Sequence, residues 1–235
     1  MKPLRVDVWS DIACPWCYVG KRRLESAIKQ LGQLGSPVDV HWRAFELDPQ
    51  APKVADGSIS QAERLAKKYG MSVAEADRKM ASMTAMAAKE GLDLRFDRVR
   101  GGNTFDAHRL LHYADGRGVQ DLLKERFMRA YFTEGEVIGD PAVLLRLATE
   151  VGLDGAEVKG VLESDAFAKE VRNDQREAQQ NGVSGVPFFV VADRYGISGA
   201  QPAEALLKVL EHARAEQKPV QILPEGAACG PEGCA

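Results

Sequence analysis

Two cysteines three residues apart, Cys14 and Cys17, enclose a Pro-Trp dipeptide near the start of this chain. A pair at this spacing can close a disulfide, exchange one with another molecule, or supply half of a zinc site. The first two uses need a thiolate, and a helix N-terminus favours one through its unpaired N–H groups and about half a positive charge. Pro15 suits the first helical position, because the N–H it lacks has no intrahelical partner there. Cys14 then takes the N-cap as the exposed end of the helix, where its sulfur can accept from the amide of Trp16 or Cys17. Cys17 lies one turn on, along the same face, close enough to displace whatever Cys14 has captured.

The rest of the chain must place these sulfurs. Residues 4–9 (Leu-Arg-Val-Asp-Val-Trp) are β-rich and alternate loosely, which predicts a strand running into the cysteines. A helix is expected from Pro15 to the vicinity of Gly32 and Gly35, and a second strand around Val38, Val40 and Trp42. Strand, helix and strand form a βαβ unit with a right-handed crossover. From about 58 to 181 the pattern is almost wholly helical, punctuated by glycines. Ser72-Val73-Ala74-Glu75 reads as a capping box. Asn103 or Thr104, Asp140 before Pro141, and Ser164 read as further caps. Strand character returns at 188–191, a turn is expected at Asp193-Arg194, and a strand at 195–198 precedes a helix from about Pro202. The expected fold is α/β: a discontinuous thioredoxin-like domain (1–52 and 182–215) split by an all-helical insertion domain (53–181), with a tail, 216–235, lacking regular structure.

Bulk properties narrow the function. The 235 residues carry a net charge of −3, so no basic surplus is present to neutralise phosphates and nucleic acid is not an expected partner. No apolar run approaches the roughly 18 residues of a membrane span, and Arg5 and Asp7 interrupt any signal-like apolar stretch, which points to the cytoplasm. Four cysteines in two close pairs, Cys14/Cys17 and Cys229/Cys234, suit redox chemistry or metal binding better than structural stapling in a reducing compartment.

A second signal is Gly185-Val186-Pro187-Phe188, just before the third expected strand. Proline cannot donate to a sheet ladder. A cis Val186–Pro187 bond would expose the Val186 backbone beside the cysteines, where an extended substrate could pair with it. The tail pair brackets Gly-Pro-Glu-Gly, a turn able to bring two thiols together. His108 and His112 have helical metal-pair spacing with no third ligand evident other than Asp115, and read as a helix face with one His near the interdomain contact. Met80, Met83 and Met86 read as core of the helical block, and the charged run Lys169 to Arg176 as a solvated face.

Cys-Pro-Trp-Cys after the first strand and Val-Pro before the third resemble the DsbA-like oxidoreductases of the thioredoxin fold. The run Asn103 to Leu110 resembles that family's helical insertion. The nearest branch is the FrnE-like subgroup, grouped with 2-hydroxychromene-2-carboxylate isomerases and kappa-class glutathione transferases; the tail Cys229–Cys234 resembles the extra CxxxxC of some FrnE-like proteins. The resemblance implies Cys14 as the attacking cysteine, Cys17 as the resolving one and Pro187 as the cis proline, with Trp16, Val186 and Asn103 near substrate. The isomerases and transferases usually carry Ser where this chain has Cys14. Pro-Trp rather than Pro-His between the cysteines implies a less extreme potential. The expected activity is thiol–disulfide exchange on protein or small-molecule thiols. It requires no tightly bound cofactor, and glutathione or a thioredoxin-type protein fits as reductant. Three rivals use the same residues: a glutathione-dependent isomerase or transferase, a four-thiolate zinc protein, and a holding chaperone.

Overall fold

The computed structural model describes residues 2–32, 37–54 and 58–217, together with the backbone of 229–230 and 233–234. Strand β1 (Leu4–Ser10) leads into helix α1 (Pro15–Gly32), and β2 (Val38–Ala44) returns parallel to β1, pairing Leu4 with Val38 and Ser10 with Ala44. Strands β3 (Phe188–Val191) and β4 (Tyr195–Ser198) form an antiparallel hairpin, and β3 pairs antiparallel with β1, which gives the sheet order β2-β1-β3-β4. Helix α9 (Ala203–Glu216) closes this part. The order is that of a thioredoxin fold, with β1 central. Its central place explains why six of its seven residues are buried although the sequence alternates only loosely.

The two faces of β1 have different covers. Leu4, Val6 and Val8 point to one side, where Leu24, Ala27 and Leu31 of α1 and Leu206, Leu210 and Ala213 of α9 complete a core. Trp9 points to the other, against Ala178 and Val183, and its indole N–H donates to the Asp174 carbonyl at 2.9 Å.

Between β2 and β3 the chain is helical: α2 (Gln61–Tyr69), α3 (Val73–Lys89), α4 (Phe105–Asp115), α5 (Gln120–Arg129) with a π-helical turn at Ala130–Glu134, α6 (Pro141–Glu150), α7 (Gly155–Leu162) and α8 (Ala168–Gln180). This segment seals the open edge of β2. The Gln120 side chain accepts from the Trp42 backbone N–H (2.8 Å) and donates to the Trp42 carbonyl (3.0 Å), as a neighbouring strand would. Asp174 accepts from the Ala44 N–H at 2.8 Å. The helices and the cysteine-bearing turn share one apolar core, in which Ile12, Cys14, Cys17 and Tyr18 meet Leu110, Phe127 and Phe132.

Several caps differ from the expected ones. The complete capping box is Ser60–Glu63 at the start of α2; Ser72 accepts from the Glu75 N–H without the reciprocal bond being recorded. Asp140 caps α6 as expected. Ser164 does not cap the long polar helix. Its hydroxyl donates back to the Gly160 carbonyl, and α8 starts four residues later after Phe167, whose φ is 62°. The α7–α8 junction is held instead by the buried Arg109, which donates to the carbonyls of Val161, Ser164 and Ala166. Within the tail, the backbone of 229–230 pairs antiparallel with 233–234, matching Cys229 to Cys234, so a short hairpin stands where no regular structure was expected. The thiols of Cys229 and Cys234, which that turn was expected to bring together, lie outside the described residues.

Candidate active site

The turn between β1 and α1 is built around Asp11. Its carboxylate accepts from the Leu47 N–H (2.8 Å) and the Ala13 N–H (3.4 Å), and faces Nε2 of the buried His108 at 3.4 Å. One side chain thereby ties together the cysteine-bearing turn, the loop after β2 and helix α4. Burial pushes the Asp11 carboxyl up, but the donors from His108, Leu47 and Thr104 outweigh it and hold it below the usual carboxylate range. Burial also pushes His108 below its ordinary value, so the neutral ring donates to an ionised Asp11.

Helix α1 starts at Pro15, and the Cys14 carbonyl receives the N–H of Cys17 at 3.1 Å. The two cysteines come within 3.4 Å of one another as free thiols. Cys14 is only 5 % exposed, not the open helix end expected from Pro15, because the helical segment packs over it. Its thiol donates to the Val186 carbonyl at 3.6 Å and does not turn back onto the helix amides. The Val186–Pro187 peptide is cis, and Gly20 of α1 leaves room for the proline ring. Cys17 is fully buried. Burial and the hydrogen bond and charge of Cys14 push its thiol well up, while Lys124 acts in the opposite direction.

The remaining candidates separate. Trp16 is 42 % exposed beside the cysteines. Asn103 spends its hydrogen bonds elsewhere: its oxygen accepts from the Phe105 N–H at the start of α4 (2.8 Å), one residue before the N-cap Thr104, and its amide donates to Glu46 and the Pro49 carbonyl (3.4 Å each). Glu46 is buried and also receives Arg172 (2.5 Å) and Gln175 (2.6 Å), and the Arg172 guanidinium stacks 4.2 Å from the Phe105 ring. The run 169–176 is therefore not a uniformly solvated face. Asp174, three residues after the buried Val171, points inward to β2 and accepts from His112 at 2.8 Å. Among the described residues no cluster of three His, Cys, Asp or Glu side chains could hold a metal. Met83 lies in the main core, Met80, also of α3, packs with Ala62 and Ala66 of α2, and Met86 is half-buried outside both clusters.

Sequence reasoning missed Asp11, Lys124, Arg109 and Asp174. Arg109, next to Leu110 and Leu111, and Lys124, next to Leu123, each fall on the buried stripe of their helix. Asp174 left a trace, because it occupies the buried stripe of Val171 and Ala178.

Comparison with known proteins agrees with this architecture. A family model described as DSBA-like thioredoxin domain matches residues 5–211. A crystal structure of a "probable DsbA oxidoreductase" from Streptomyces coelicolor is 45 % identical, with a TM-score of 0.85, covering 99 % of this chain and 98 % of that one. The uncharacterized protein YwbO of Bacillus subtilis (strain 168) is 32 % identical over 213 residues, 88 % of this chain and 96 % of its own. The cytosolic disulfide reductase DsbM of Pseudomonas aeruginosa, solved with GSH, shares the fold at 20 % identity and a TM-score of 0.60, over 91 % of this chain and 96 % of that one.

Proposed function

This chain belongs to the DSBA-like thioredoxin domain family, and on that premise we propose that it exchanges disulfides with protein or small-molecule thiols through Cys14 and Cys17. The observation that carries the reading is the pair of free thiols 3.4 Å apart at the start of α1, with the Val186 carbonyl 3.6 Å from Cys14. Cys14 attacks a substrate disulfide and forms a mixed disulfide. Cys17 then attacks the Cys14 sulfur, closes the internal disulfide and releases the reduced product. An extended substrate pairs with the Val186 backbone beside Pro187 and takes the hydrogen bond that the Cys14 thiol makes in the reduced protein. Trp16 offers an exposed ring to the same substrate. Asn103 acts one step back, through the loop of Glu46 and Pro49.

No tightly bound cofactor is needed for this chemistry. The likeness to a disulfide reductase solved with GSH supports glutathione as reductant or ligand; a thioredoxin-type reductant would serve equally. In the cytoplasm, the compartment we assign, the poise favours reduction or isomerisation. No helix among the described residues is long and apolar enough to cross a membrane. The tail pair, Cys229 and Cys234, passes electrons to the main centre in this scheme; serine at both positions then slows turnover with at least one reductant.

Reduction of insulin disulfides by the wild type and by Cys14→Ser, with cysteine oxidation states mapped by mass spectrometry, tests the reading. Turnover by the wild type and its loss in Cys14→Ser are expected. A Cys14→Ser protein that keeps a glutathione-dependent isomerisation would instead favour the isomerase.

A further inference from the structure

Helices α2 and α3 form a hairpin with a small core of its own, in which Ala62, Ala66 and Ala76 meet Leu65, Met71 and Met80. The later turns of α3 reach the main core through Met83 and Ala87. The earlier turns stand off from the loop 96–100, and a cavity of about 530 Å³ lies between them. That volume is in the range of small-molecule sites. Part of its lining is apolar. Met80 and Phe96 line it half-buried, and Ile59 and Val73 line it at 44 % and 45 % exposed, two of the few large apolar side chains this protein leaves open to water.

The rest of the lining carries unmatched positive charge. Elsewhere the arginines sit on carboxylates, as Arg95 on Asp97, Arg117 on Glu157 and Arg146 on Glu150. Arg64, Arg98 and Arg100 are among the few described arginines without such a partner, and all three line this cavity. Two of them are held from neutral oxygens. Arg64 donates through Nε to the Gln61 side chain (3.2 Å) and through Nη2 to the Val99 carbonyl (3.1 Å). Arg100 donates through Nε to the Gly135 carbonyl at 3.0 Å, which leaves both of its Nη groups unspent. Of the two carboxylates on the lining, Asp97 is taken by Arg95 through bonds of 3.1 and 3.0 Å. Asp77 alone then stands against three guanidinium groups.

We propose that this cavity binds an amphipathic oxyanion, a carboxylate or phosphate head on an apolar chain. The head lies on Arg98 and Arg100, whose free N–H groups match an oxyanion. The chain lies against Met80, Phe96 and Val73 and covers apolar surface that water now meets. None of the lining residues belongs to the cysteine-bearing turn or to the Val186–Pro187 segment. The site is therefore separate from the proposed exchange chemistry and does not rest on it.

Isothermal titration of the full-length protein with dodecanoate, dodecyl phosphate and dodecyltrimethylammonium, each kept below its micelle concentration, tests the proposal. One-to-one binding of at least one anion with a Kd at or below about 100 μM is expected, with no saturation by the ammonium. The tighter of the two anions identifies the head. Arg98 makes no recorded contact and Arg100 a single hydrogen bond, so Arg98→Gln/Arg100→Gln keeps the fold; it should weaken the anion about tenfold or more. Backbone NMR of the wild type should place the anion-induced shifts at Val73, Phe96 and Val99. No saturation by either anion below about 1 mM overturns the proposal. So does equal binding of the ammonium, or a double variant within twofold of wild type. Shifts confined to the surroundings of Cys14 and Val186 would put the ligand at the redox centre and overturn it as well.

Discussion

Alanine at Gly20 should weaken the protein and blunt its turnover, although alanine is the better helix former. Gly20 lies inside α1, where replacing glycine gains about 1 kcal/mol of helix propensity. A Cβ there would stand 2.9 Å from Pro187 Cγ, 3.3 Å from Phe189 Cζ and 3.4 Å from Pro187 Cβ. The first distance demands movement, and the proline ring has little freedom, since the Pro187 carbonyl is held by the Gly199 N–H at 2.8 Å. Overpacking of this kind costs about 1–3 kcal/mol, so the net effect is a loss of roughly 0–2 kcal/mol. Gly160, inside α7, has nothing within 4 Å of its would-be Cβ, and alanine there should gain about 0.5–1 kcal/mol. Urea unfolding of the two variants reads the difference. Insulin reduction reads the second consequence, because moving Pro187 carries the Val186 carbonyl away from Cys14. Equal stabilisation by both alanines with unchanged turnover would refute the reasoning.

Other perturbations follow from single contacts. Asn103→Ala removes the acceptor of the Phe105 N–H at the start of α4 and should cost about 1 kcal/mol in urea unfolding; no measurable loss would dismiss the contact. Asp174→Ala leaves the Ala44 N–H, Arg43 and His112 without their shared acceptor. A loss of about 3 kcal/mol is expected by the same measurement, and a change under 1 kcal/mol would contradict it. His108 is depressed in the folded protein from its ordinary 6.5. The unfolded chain therefore binds the extra proton first, and stability should fall as pH drops below about 6.5, by up to about 1.4 kcal/mol per unit, until the folded ring titrates. Urea midpoints from pH 7.5 to 5 check this, and a His108→Asn protein should lack that component.

The parts of the fold legible in the sequence are those fixed by short-range chemistry. Pro15 after Cys14 marked the start of α1, the loose alternation of 4–9 and 38–42 marked the parallel pair, and Phe188 to Ser198 marked the hairpin. What stayed hidden depends on contacts between distant segments. Nothing near Gln120 says that its amide completes the edge of β2, and nothing near Lys124 says that it reaches the Ser10 carbonyl at the end of β1. The mistaken cap at Ser164 has the same origin: the α7–α8 junction is set by Arg109, more than fifty residues away. The expectation of an exposed Cys14 failed because the helical segment covers the turn, a packing relation that no local pattern encodes.

The claim that Cys14 is the attacking sulfur can be put to one direct measurement. Cys17→Ser is incubated with a disulfide-bearing peptide and the adduct located by mass spectrometry. The account predicts a stable mixed disulfide on Cys14, with none forming in Cys14→Ser under the same conditions. An adduct that forms equally well on Cys17 in Cys14→Ser, or no adduct in either variant, would contradict it.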